Sequence, residues 1–116
     1  MSRREAQDRW DAIYSEHQTV GEPDPFITAS KFLPASPAKA VDLAGGTGGT
    51  ALWLAANRYE VSLVEISQAA LDVAKREAAH RQLKLSTIHH DLESSTQLDD
   101  HWDIAVCCNF LDRSLY

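Results

Sequence analysis

Asp42-Leu43-Ala44-Gly45-Gly46-Thr47-Gly48-Gly49 is the stretch on which the reading of this 116-residue chain turns. It leaves a short apolar run, Ala40 to Leu43, and opens onto Thr50 to Asn57, which reads as helix. Strand, glycine turn and helix in that order leave backbone donors free at a helix start, and the missing side chains let a ligand rest against the main chain. A tight turn could use glycines too. Yet all five glycines of the chain except Gly21 fall in this one loop, which favours binding over a bare turn.

Working outward, Val61 to Glu65 is a second strand rich in β-branched residues, and Ser67 can cap a long helix reaching about Gln82. Ala70, Leu71, Ala74 and Ala78 form a lean inner stripe on that helix, while Asp72 and Arg76 are spaced to pair on its outer face. Leu85 to His89 reads as a third strand and Trp102 to Cys108 as a fourth. Upstream, Trp10, Ile13 and Tyr14 recur at helical spacing within Ala6 to Glu16. Gly21-Glu22-Pro23-Asp24-Pro25 then breaks the chain, and Phe26 to Leu33 can form a short second helix before Pro34. Alternating strands and helices imply right-handed crossovers and a parallel sheet covered on both faces. The expectation is an α/β fold: a minimal Rossmann-like, doubly wound sheet of order 3-2-1-4 with N-terminal helices. Residues 1–116 make one domain, divided into a helical lead-in over 1–38 and a core over 39–116. Residues 91–100 are expected to form the most mobile loop.

Composition narrows the function. A chain of this length makes one core, and 44% hydrophobic residues suffice to pack it without disulfides. The two cysteines, Cys107 and Cys108, are adjacent in an apolar run and read as buried thiols in a reducing compartment. No run approaches the ~18 apolar residues of a membrane span, and no apolar signal core follows Met1, so a soluble, cytoplasmic protein is expected. Seventeen acids against eleven bases give a net charge of -6, which repels phosphate backbones and disfavours nucleic acid as a partner. His89 and His90 lack a second ligand pair at useful spacing, so no metal site is expected.

Three acids point to the kind of ligand. Gly46-Thr47-Gly48-Gly49-Thr50-Ala51 fits a dinucleotide fingerprint, and Glu65 lies about 20 residues on, where a ribose diol would be held. Asp42, at the carboxyl end of the first strand, suits an ammonium group better than a pyrophosphate. Asp91, just past the third strand, can accept from an adenine amine. An amino-acid-bearing nucleoside fits this set. A nicotinamide oxidoreductase is disfavoured by Asp42 and by the lack of a second mononucleotide half. Glu65 as a solvated strand end, Asp91 as a turn cap, Asn109 as a turn former and Trp10 and Tyr14 as packing anchors are the competing structural readings.

The run Val41 to Gly48 resembles the first motif of class I S-adenosylmethionine-dependent methyltransferases. Val64-Glu65-Ile66-Ser67 with Ala69-Ala70-Leu71 is similar to their second motif, and His90-Asp91-Leu92 to their third. Trp102 to Val106 and Asn109 to Arg113 resemble the fourth strand and following loop of the tellurite-resistance-like branch, which also carries an aromatic lead-in like Trp10 and Tyr14. The resemblance implies that Asp42, with Ala44, Gly45, Gly46 and Gly48, holds the methionyl part, Glu65 the ribose, Ile66 one adenine face, and Asp91 and Leu92 the adenine edge. It sets Asn109 near the methyl sulfonium. Ala44 departs from the glycine usual at its place, and the chain stops at Tyr116, after four strands where the family normally has seven.

The function implied is S-adenosylmethionine-dependent methyl transfer to a small-molecule acceptor, with S-adenosylhomocysteine as product and no catalytic side chain required. The alternative is a weak or inactive module that binds either form of the cofactor. The apolar fourth strand, left at the sheet edge, leads to an expected homodimer or higher oligomer through that strand.

Overall fold

The computed structural model describes residues 3–16, 19–31, 33–43, 45–90 and 101–107. Among these residues eight elements follow in order: α1 (Arg3–Glu16), α2 (Pro25–Thr28), β1 (Lys39–Leu43), α3 (Gly49–Ala56), β2 (Glu60–Glu65), α4 (Gln68–His80), β3 (Ser86–His89) and β4 (Ile104–Val106). The four strands form one parallel sheet in the order β3-β2-β1-β4, as the sequence leads one to expect.

Register decides what shares a face. Ala40 lies beside Val61, and Asp42 beside Leu63, so strand alternation puts Ala40 and Asp42 of β1 on the same face as Val61, Leu63 and Glu65 of β2. Val106 of β4 is abreast of Asp42. That face carries the core: Ala40, Val61, Leu63 and Val106 pack with Ala51 and Leu54 of α3 and Leu71 and Ala74 of α4. Burying a leucine of this kind contributes about 1.5–3 kcal/mol. The two successive crossovers step in one direction, and right-handedness puts α3 and α4 on one face, where they touch each other. Val41 and Val64, on the opposite face, are buried as well.

Several boundaries differ from the expectation. The second helix is a single turn, Pro25–Thr28, capped by Asp24, whose carboxylate accepts from Phe26 N–H at 2.8 Å. It buries none of its residues, and Phe26 is 82% exposed, so no packing extends it toward Leu33. β4 has three residues because its ladder with β1 runs from Ile104 to Val106. On α4, Asp72 accepts from Gln68 Nε2 at 2.9 Å instead of meeting Arg76, and the ion pair one turn on is Glu77–Arg81 at 2.8 Å. Cys107 is exposed, because the pairing that would bury it ends at Val106. Cys108 and the 91–100 loop lie outside the described residues.

Candidate functional site

Asp42 and Glu65 end two adjacent strands on one face and flank the glycine turn between them. Both are buried: Asp42 is 2% exposed and Glu65 0%. A strand end open to solvent is therefore the wrong picture of Glu65. Its Oε1 accepts from Gly46 N–H at 3.0 Å and its Oε2 from Ser67 N–H at 2.8 Å, so one carboxylate ties the turn after β1 to the corner after β2. Charge-assisted bonds to backbone amides are among the stronger hydrogen bonds in a fold, and they explain why the sheet tolerates an acid so deep. Gly45 N–H adds a bond to the Val64 carbonyl at 3.4 Å.

The glycines divide the work. A Cβ at Gly45 would lie 2.5 Å from Asp42 Oδ2, so this glycine leaves the room the carboxylate occupies. Gly46 has φ 61° and Gly48 φ 89°, left-handed values that favour glycine. Gly48 is also the N-cap of α3, and a Cβ there would meet Ala74 Cβ at 3.0 Å. The room at Gly48 thus admits α4. A Cβ at Gly49 would run into the backbone of Gly21 and Glu22. This strap of the lead-in crosses the start of α3, fixed by Gly21 N–H to Thr47 Oγ1 and Asp24 N–H to Thr50 Oγ1, both at 2.9 Å.

Ser67 caps α4 as expected, accepting from Ala70 N–H at 3.1 Å. Half-buried Ile66 precedes it, and its carbonyl accepts from His89 Nε2 at 2.7 Å, a bond that requires the proton on that nitrogen. His89 is thus a fastener between β3 and the Ile66 corner. Trp10 sits half-buried on α1 with the Arg9 guanidinium 5.8 Å from its ring centre. Ala44, Asp91, Leu92 and Asn109, together with the Tyr14 side chain, lie outside the described residues. The sequence reading missed Asp11, whose Oδ1 accepts from Ser67 Oγ–H at 2.6 Å and Ala69 N–H at 3.0 Å. It also missed the latching threonines. Both depend on contacts between distant segments, which no local pattern announces.

The arrangement suits a cation that also bears hydroxyls. Two buried carboxylates at neighbouring strand ends offer negative charge and acceptor oxygens, and the turn between them brings main chain, without side chains, to the same place. That donor and acceptor set fits the methionyl ammonium and ribose of S-adenosylmethionine. Among the described residues no cluster of metal-ligating side chains occurs, and no helix is long and apolar enough to cross a membrane.

Comparison with known proteins agrees with this geometry. The family described as "Methyltransferase domain" matches residues 40–114. Of the solved structures, one reported for the conversion of a disulfide bond into a thioacetal group during echinomycin biosynthesis superposes with TM-score 0.77 at 24% identity. That match covers 90% of this chain and 48% of the other. TehB from Haemophilus influenzae gives 0.68 at 21% identity, over 88% of this chain and 35% of its own. A methyltransferase from Thiobacillus denitrificans, in complex with S-adenosylhomocysteine, gives 0.64 at 23%, over 85% and 42%. The chain thus spans half or less of the length of these structures. No curated protein matches it. With the match spanning more than half of the chain and the sheet order agreeing, the chain belongs to the methyltransferase-domain family, of the class I S-adenosylmethionine-dependent type.

Proposed function

We propose that this chain binds S-adenosylmethionine across the carboxyl ends of β1 and β2 and serves methyl transfer to a small-molecule acceptor. The observation that carries the reading is the pair Asp42 and Glu65, buried on one face on either side of the Gly45–Gly48 turn. When bound, the cofactor supplies a methyl group activated on a sulfonium. The chain's part is to hold and orient. Asp42 places a negative charge where an ammonium would lie. Glu65 has acceptor oxygens for a ribose diol and also fixes the turn, since a carboxylate can accept at about four lone-pair sites. Ile66, anchored through its carbonyl by His89, presents an apolar side chain for an adenine face.

In-line displacement needs orientation and a pocket poor in water more than a nucleophile or acid from the protein. The net charge of -6 favours a small acceptor over a polyanion. Calorimetric titration with S-adenosylmethionine, S-adenosylhomocysteine and NAD tests the reading. Binding of the first two and silence from the third is the expected result. Binding of NAD alone would overturn it.

A further inference from the structure

We propose that Asp11 of α1 is a positioning residue for the glycine turn, acting through Ser67 and Glu65. The path is continuous. Asp11 Oδ1 accepts from Ser67 Oγ–H at 2.6 Å, and Ser67 N–H donates to Glu65 Oε2 at 2.8 Å. Glu65 Oε1 in turn accepts from Gly46 N–H at 3.0 Å. Ser67 has one hydroxyl proton and gives it to Asp11, so its lone pairs are left to accept from Ala70 N–H at 3.1 Å. Asp11 takes the neighbouring Ala69 N–H at 3.0 Å. Two free amides of the first turn of α4 are thereby satisfied by side chains from two elements, and the carboxylate lies at the favourable end of the helix dipole.

The consequence reaches beyond a helix cap. Ser67 is fully buried and sits two residues from Glu65, and Asp11 holds this corner at two points, the Ser67 hydroxyl and the Ala69 amide, so it pins the backbone that carries the Ser67 amide. That amide fixes one oxygen of Glu65, and the other oxygen fixes Gly46. Hydrogen bonds in such a chain polarise and orient one another, and the low dielectric around buried groups strengthens each link. α1 is thus wired to the turn that approaches the ligand.

The effect on ligand affinity rests on the proposed function, whereas the relay itself can be read without ligand. Hydrogen exchange followed by NMR on Asp11→Ala should show lost protection at the Ala69 and Gly46 amides, with β1 and β2 unchanged. S-adenosylhomocysteine should bind about tenfold more weakly to this variant. Asp11→Asn keeps an accepting oxygen in place and should recover affinity to within about threefold of wild type. Asp8→Ala, exposed on the same helix, is the control and should change neither readout. Wild-type Gly46 protection in Asp11→Ala would overturn the proposal, and so would Asp11→Asn failing as badly as the alanine variant. If wild type itself binds no S-adenosylhomocysteine, the functional reading falls and the exchange data alone decide the role of Asp11.

Discussion

Lys39 and Asp103 hold each other by two bonds at once: Lys39 N–H donates to Asp103 Oδ2 at 2.7 Å, and Asp103 N–H donates to the Lys39 carbonyl at 2.7 Å. The pair sits where β1 and β4 begin, and Lys39 Nζ lies 6.0 Å from the centre of the Trp102 ring. With three residues in β4, this clamp is a large part of what sets the β1–β4 register. Asp103→Ala should lower stability by about 1 kcal/mol in urea unfolding, because the Lys39 amide loses a charged acceptor near solvent. Unchanged stability would show that pairing of Ile104 to Val106 suffices.

Glu65→Ala is expected to cost stability as well as affinity. It strips partners from the Gly46 and Ser67 amides, and leaving buried donors unsatisfied costs about 1–3 kcal/mol. Denaturant unfolding and calorimetry on the same sample check both effects. A variant as stable as wild type would mean that water replaces the carboxylate at no cost.

Asp42→Asn should separate the two ends of the ligand. Affinity for S-adenosylmethionine should fall about tenfold, since the charged partner of the ammonium is gone, whereas 5′-methylthioadenosine, which lacks the amino-acid portion, should bind as before. Equal losses for both ligands would place Asp42 elsewhere in the site.

Gly49→Ala tests the strap. The added methyl enters the space of the Gly21 and Glu22 backbone, so residues 21–24 must lift from α3 and give up their bonds to Thr47 and Thr50. Limited proteolysis should then cut in this segment at protease levels that spare wild type, with a stability loss of about 1–3 kcal/mol. Unchanged cleavage would mean the strap can shift without detaching.

What the sequence disclosed follows from local chemistry. The β-branched run at Val61, the glycine turn and the Ser67 cap each need only a few neighbouring residues, and their order constrains a parallel sheet to very few topologies. What it concealed depends on distant segments meeting. A solvated strand end stands as the competing reading of Glu65 because nothing in its own strand reveals that Gly46, 19 residues back, brings an amide to it. Nothing near Thr47 and Thr50 in the sequence reveals that Gly21 and Asp24 bring amides to their hydroxyls. The four-residue α2 and three-residue β4 are short for a related reason: hydropathy in Phe26 to Leu33 and Trp102 to Cys108 permits longer elements, and partners limit them.

The docking of α1 also bears on how the chain acquires its shape during synthesis. Asp11 meets groups 56 and 58 residues further along, so at a translation rate of 5–20 residues per second it waits roughly 3–12 s for them to be made. A 14-residue helix on its own is marginal in water. α4, on which α1 packs, is absent for the whole of that interval. The helicity of α1 is in this sense a product of assembly and not a seed for it, and its appearance in time-resolved refolding marks the moment the corner at Ser67 has closed.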